Sequence, residues 1–497
     1  MGAKADNPII WGAIKSTFKN YFSEEDSPFN IAIFRIIFFL FILTYIDQKQ
    51  IFWFSQLPSD LMFPPVGMKH LLSVIPVTPD LAHKAMILFI GFSFFAMIGC
   101  FARTSSFLAA ISGIYVLGIP QFYGKVDHYN HLIWLMLILS VSRCADVLSI
   151  DSIWKAIRDA DQGLEPKNQN SVAYALPLRF IWLLMGMVYF FPGFWKLFRT
   201  PWYWAWSDNL KYHMYFQWHE IGGSLPFFRL DQHPFLYKMC GLGVISFELA
   251  FVFLVLFPIL RPLAAISGIL FHSLIRVFMQ FGFIHLEICY LSFINWAGLF
   301  AEIGKWIIKE PLTVRYDGKS KQYQRMIAVW SKFDIFQRIV FSDKIRASKK
   351  TPHDRLLLKF TGIALLLINF IFGFRETISG WPFACYPTFS QVFTKAISQT
   401  ITPNGVMENG EDEISLRPLQ KRMHQERFAG MIRSILRMPD KVQQRVTLKA
   451  LASVMKAEGI DLKNYSKIRF YEAIYSTEPE KANNPPIFRK LLAEIDL

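Results

Sequence analysis

Long apolar blocks alternate with short polar stretches along most of this chain. Nine blocks of 18 to 23 residues carry few charges, near 29–47, 83–101, 105–122, 128–146, 176–197, 236–258, 261–280, 283–301 and 356–374. Runs of this length predict membrane-spanning helices, because lipid offers the backbone no hydrogen-bond partner outside the helix itself. The pattern predicts an all-α, polytopic membrane bundle of about nine spans with a small soluble C-terminal tail. It divides into a cytoplasmic N-terminus (1–28), a membrane domain (29–305), a basic insert (306–355), a last span with an aromatic and proline-rich turn (356–390) and the tail (391–497). The tail is polar and of mixed charge. Its pattern predicts helices near 417–436 and 440–457 and a strand at 467–475, in a small soluble appendage. The first apolar run is long and contains Arg35, so it predicts a retained span and not a cleaved signal.

Composition agrees with this: 53% of the 497 residues are hydrophobic, 18% are charged, and 49 are Phe. The net charge of +15 fits membrane orientation better than nucleic-acid binding. With the N-terminus inside, the inner segments hold 23 Lys and Arg against 7 outside, as the positive-inside rule expects. Most of that excess comes from the 306–355 insert. The five cysteines form no CxxC and are odd in number, which reads as helix packing and not as a disulfide or zinc framework. His128 and His131 lie three apart, but no third metal ligand accompanies them, so no metal is expected.

The polar residues in the wrong solvent carry the chemistry. Ionisable groups within spans are costly and are functional candidates by default. Lys196 ends the 176–197 run, just after an expected helix break at Pro192–Gly193. Asn130 and His131 open the fourth run, His272 and Arg276 sit in the outer half of the seventh, and His285 and Glu287 open the eighth. With the N-terminus inside, all of them fall in one leaflet. Each has a blander reading. Lys196 could snorkel to headgroups, His131 and His285 could be interfacial hydrogen-bonders, and Arg276 could pair with Glu287 or lipid phosphate. Glu248, mid-span, could be a structural partner for another buried polar group. Taken together they suit proton abstraction: a poorly solvated amine can be held neutral and act as a base. An Asn–His pair can then steady the resulting anion.

VYFFPGFWKLF (188–198), DHYNHLIWL (127–135), CADVLSID (144–151) and FNIAIFRIIFF (29–39) resemble, in order and spacing, the HTTM family. This is the membrane domain shared by vitamin K-dependent gamma-carboxylases and many bacterial relatives. GWPFACYPTFS (380–390) resembles the turn after the last span of bacterial members. The resemblance implies that Lys196 deprotonates vitamin K hydroquinone or menaquinol. Asn130 and His131 would stabilise the resulting anion or its oxygenated form. His272 lies where the family has a polar FH motif, and Arg276, His285 and Glu287 would line the site by their position in the runs alone. Oxygen and carbon dioxide would be co-substrates, and the products would be the quinone epoxide and γ-carboxyglutamate in an exported peptide or protein.

The chain departs from the carboxylases in lacking their large luminal region, which puts the glutamyl acceptor in question. The stretch 312–341 resembles the start of a DCC thiol-oxidoreductase segment, with Ser320 and Tyr323 where that pattern has cysteines. Without thiols, disulfide chemistry is excluded there. The competing reading is non-enzymatic: an accessory protein for maturation, export or immunity of a secreted peptide, or a small-molecule carrier. Partners would be lipid, quinol and an exported peptide, with no nucleic acid. A bacterial inner membrane is favoured over the endoplasmic reticulum.

Overall fold

The computed structural model describes residues 8–65, 67–164, 168–314, 320–341, 354–386, 389–481 and 484–497. Of the stretches named above, 1–7 of the N-terminus, 315–319 of the DCC-like segment, 342–353 of the basic insert, 387–388 of the aromatic turn and 482–483 of the tail lie outside the described residues.

Among the described residues, seven helices are long and apolar enough to cross a membrane. They are Pro28–Tyr45, Pro79–Ile98, Ala102–Phe122, Val172–Arg199, Pro234–Leu254, Pro258–Met279 and Leu356–Phe374. These helices give the chain the build of an integral membrane protein. Two of the nine expected spans are different. The 128–146 run forms only the 11-residue helix Asn130–Ser140, about 16 Å long at 1.5 Å per residue. Almost every side chain on it is buried. Protein therefore covers its ends where lipid would leave their polar groups unpaired. The 283–301 run folds as Ile284–Phe293 followed by Trp296–Ile307, bent by 65°, so the count among the described residues is seven or eight. Asn295 makes that break, since its side chain accepts from Gly298 N–H and caps the second helix.

Burial sorts the helices. The windows of Pro79–Ile98, Pro234–Leu254, Pro258–Met279 and Leu356–Phe374 are 22–28% buried, whereas that of Val172–Arg199 is 83% buried. The first four present apolar side chains outward, and Val172–Arg199 is the central post. It runs without interruption through Pro177 and Pro192, so the break expected at Pro192–Gly193 does not occur. Gly186 and Gly193 explain its tight fit. A Cβ at Gly186 would lie 2.9 Å from Val252, and one at Gly193 would lie 2.8 Å from the Cβ of Glu248. Small residues let helix backbones approach closely where no apolar solvent effect drives them together.

The tail corrects the all-α expectation. It holds a four-stranded antiparallel sheet in the order Gly410–Glu413, Ile397–Met407, Lys467–Ser476, Phe488–Asp496. The expected strand and the helices Gln425–Leu436 and Lys441–Ala457 are present. One hydrophobic core runs from the bundle into the sheet. Buried Arg427 donates to the carbonyls of Pro120, Tyr123 and Lys125 and pairs with Asp127. Gly124, at φ +74°, meets Gly430 backbone to backbone, and a Cβ at Gly124 would lie 2.3 Å from the Arg427 carbonyl.

At the opposite end the insert's helix Lys321–Phe333 packs on Ile150–Asp161 through Ala156, Ala160 and Ala328. Arg325 makes a two-pronged pair with Asp161 at 2.7 and 3.0 Å.

Candidate functional site

One turn beyond Gly193, the close approach of Val172–Arg199 and Pro234–Leu254 brings two ionisable groups together. Lys196 Nζ donates to Glu248 Oε1 at 2.5 Å, and both side chains are buried. Lys196 also sits 4.7 Å over the Trp204 ring, a favourable cation–π distance for a charged amine. The second oxygen, Glu248 Oε2, has no partner. Lys196 does not snorkel to the membrane surface, since none of its side chain is exposed. Glu248, read from sequence as someone's structural partner, is the partner of Lys196 itself.

Asn130 and His131 open their short helix fully buried. His131 Nε2 lies 2.8 Å from the His285 carbonyl, and Nδ1 lies 3.0 Å from Tyr386 Oη. A carbonyl only accepts, so Nε2 carries the hydrogen and Nδ1 accepts from the Tyr386 hydroxyl. Tyr386 Oη in turn accepts the backbone N–H of His131 at 3.1 Å. Neither amide atom of the Asn130 side chain has a partner. Buried amides without partners are rare, and each needs an explanation.

The tentative lining residues separate. His285 joins His131, with ring centroids 5.3 Å apart and its own Nδ1 unpartnered. His272 ends a buried relay. Tyr290 donates to Tyr189 at 2.7 Å, and the Tyr189 hydroxyl lies 2.8 Å from His272 Nε2. Arg276 and Glu287 take the blander option and pair with each other at 2.6 Å, with the guanidinium side 52% exposed. No hydrogen bond joins Lys196 to Asn130 or His131 among the described residues. The aromatic turn links the two halves, since Tyr386 holds His131 and the Phe389 carbonyl accepts from Trp204 Nε1 at 2.9 Å. The turn is fastened by Trp381, which donates to the Ile114 carbonyl, and by Trp134, which donates to the Pro382 carbonyl.

Two cavities flank this array. An apolar one of about 250 Å³ lies between Pro234–Leu254 and Pro258–Met279, walled by Trp204, Phe247, Phe271 and Phe389. A polar one of about 690 Å³ is lined by His128, Tyr129, His285, His213, Glu220 and Glu426 among others. His213 lies on Asn209–Glu220, outside the spans. Burial pushes its imidazole down to about 3, and its Nε2 meets the Gln391 carbonyl at 3.0 Å. Sequence reasoning missed Tyr189, His213 and Trp204. His213 and Trp204 lie in a Trp, Tyr and His-rich loop whose density of aromatics was the only signal. Among the described residues, no group of three His, Cys, Asp or Glu gathers as a metal-ligand set.

Fold and site together define a polytopic helical membrane protein whose central helix carries a buried amine–carboxylate pair beside an apolar cavity. No family model, curated protein or solved structure matches the chain.

Proposed function

We propose that this protein is a quinol-using membrane enzyme of the gamma-carboxylase type. The reading rests on one observation, the buried Lys196–Glu248 pair with Trp204 between it and the apolar cavity. A quinol has a polar, acidic ring and an apolar chain. The cavity suits the chain, and the amine suits a ring hydroxyl. The unpartnered atoms of Asn130, His285 and Glu248 are polar groups that a ligand of this kind would satisfy.

The chain's own part is proton handling. When the proton shared by the pair rests on Glu248, Lys196 is a free amine. It then takes the hydroxyl proton, leaving an ammonium beside a protonated carboxyl and an oxyanion on the quinol. Asn130 and His131 act as the dipoles that steady the anion. A quinol bound there would, on reaction with oxygen, supply the strong base needed to remove a γ-proton from a glutamate and let carbon dioxide add. The orientation follows the positive-inside count, with the tail and site at the outer face of a bacterial inner membrane.

The test uses protein in nanodiscs with reduced vitamin K or menaquinol, oxygen, labelled bicarbonate and a Glu-containing peptide. Epoxide and peptide label are followed separately. Epoxide with label, both lost in Lys196→Ala, supports the carboxylase. Epoxide alone keeps the oxygenation and removes the glutamyl acceptor. Neither product from folded protein refutes the enzyme and turns the reading to an accessory or carrier role.

A further inference from the structure

The apolar cavity beside Trp204 is open on its lipid side. Pro234–Leu254 and Pro258–Met279 are consecutive spans joined by the short turn 255–257. Away from that turn the cavity lies between residues 240–247 of the first and 267–279 of the second. Gly243, Leu270 and Leu274 line the cavity and are also exposed on the outside of the bundle, where lipid would lie. A side chain added at Gly243 would meet nothing within 4 Å, so this glycine leaves a gap in the wall. The walls away from that rim are buried and include Trp204, Met214 and Leu230. Lys196 lies over the Trp204 ring, so the rim and the amine are on one path through the protein.

The chemistry of the wall selects what can pass the rim. Among the described residues, no Lys, Arg, Asp or Glu lines the cavity. The Ser267 hydroxyl donates to the Ala264 carbonyl of its own helix at 3.1 Å, and Trp204 Nε1 donates to the Phe389 carbonyl. Cys240 adds only a weakly polar thiol. A charged headgroup crossing this rim would lose its water and find no partner, which is strongly unfavourable. A phospholipid can therefore enter only with a hydrocarbon chain, its phosphate left at the membrane surface. A lipid with a small uncharged head can instead enter head first. Its head then reaches Trp204 and Lys196, while its chain lies across Gly243, Leu270 and Leu274 and trails into the bilayer.

We infer that this cavity is a side entrance that loads a prenylated, membrane-resident quinol head first from the bilayer, through the gap between Pro234–Leu254 and Pro258–Met279. The inference rests on the quinol reading above for the identity of the head. It adds the class of quinol, one whose chain stays partly in the membrane, and the route by which it arrives. A quinol without a chain makes no contact with the rim and is a poor ligand.

The test is photolabelling of the full-length protein in phosphatidylcholine nanodiscs, without turnover. The probe is oxidised menaquinone with a diazirine on its first prenyl unit. A phosphatidylcholine with a diazirine on one acyl chain is the comparison. The quinone probe is expected to label Trp204 and the facing stretches 240–247 and 267–279. Unlabelled menaquinone should displace it, whereas menadione, the same ring without the chain, should not. Gly243→Phe and Leu270→Trp narrow the rim from opposite helices. Each should lower the labelling about tenfold, the worth of roughly two buried methylenes. Both positions are exposed, so thermal unfolding should match that of the parent. Labelling at the parent level in both variants, or displacement by menadione as strong as by menaquinone, would overturn the inference. Phospholipid label on Trp204 would also overturn it and make the cavity the seat of a structural acyl chain. Selective quinone labelling without epoxide formation would sink the enzyme reading and leave the entrance standing. Epoxide made at the parent rate by both variants would sink the entrance and leave the enzyme.

Discussion

The Lys196–Glu248 pair allows a prediction whose size depends on its charge state. Removing one member of a buried, fully charged pair strands the other and costs about 3–5 kcal/mol. If the pair is a neutral amine and a carboxyl, removal leaves only an unsatisfied polar group, at about 1–3 kcal/mol. Both side chains are buried, with 0% and 4% exposed, so solvent cannot rescue the survivor. Lys196→Met and Glu248→Leu should each be destabilising, while the double variant should return close to the parent stability. Nonpolar replacement of a whole buried pair is often neutral or better. The assay is reversible unfolding in detergent micelles, with the four proteins forming a double-mutant cycle. A coupling near the larger figure means a charged resting pair, and one near the smaller figure means a neutral pair. The double variant should also be folded yet make no epoxide, which separates stability from chemistry. Strict additivity of the two single losses would refute the coupling and, with it, the proton exchange on which the proposed function depends.

Lys196→Arg should stay folded and lose epoxide formation, since arginine keeps its proton; activity equal to the parent would make Lys196 an anchor. Tyr386→Phe removes the hydroxyl that holds His131 Nδ1 and should cost about 1 kcal/mol of net hydrogen bonding. Epoxide formation should fall by up to about tenfold, and an unchanged rate would exclude His131 from the chemistry. Gly124→Ala forces a Cβ to within 2.3 Å of the Arg427 carbonyl at φ +74°; the tail should become sensitive to limited proteolysis, and an unaltered digestion pattern would contradict the clamp. Between pH 6.5 and about 3, the unfolded chain protonates His213 while the folded chain keeps it neutral. Stability should therefore fall with falling pH over that window, by up to about 1.4 kcal/mol per pH unit. In His213→Phe that part of the slope should vanish; an identical pH profile would show that His213 is solvated.

Lys196, Asn130 and His131 were legible in sequence because a charge or amide in an apolar run is conspicuous. Their partners were less so. Glu248 stood out for the same reason as Lys196, but its pairing depends on Gly186 and Gly193, which fix how closely two helices approach. Tyr189 and Tyr290 were invisible, since a tyrosine in an aromatic-rich span carries no contrast. Arg276 and Glu287 take the blander of the readings open to them and pair with each other. In the tail, the strand Ile397–Met407 went unread, since Pro403 and Gly405 weaken a strand pattern. It survives as a strand because Pro403 and Gly405 pair with Phe470 and Ile468, and Tyr465 packs on Gly405. The short helix Asn130–Ser140 was drawn as a full span because hydropathy does not register where neighbouring protein replaces lipid.

The clamp of Arg427 on the 120–127 loop also orders events during synthesis. That loop leads directly into Asn130 and His131, but the residue that grips it is some 300 positions later in the chain. The bundle can therefore insert and pack while the His131 end of the site is still untethered. Only when the tail has been made and its sheet closed does the loop acquire its last partners. A ribosome stalled between residues 196 and 427 leaves a chain that has Lys196 but lacks the clasp on the loop that leads into His131.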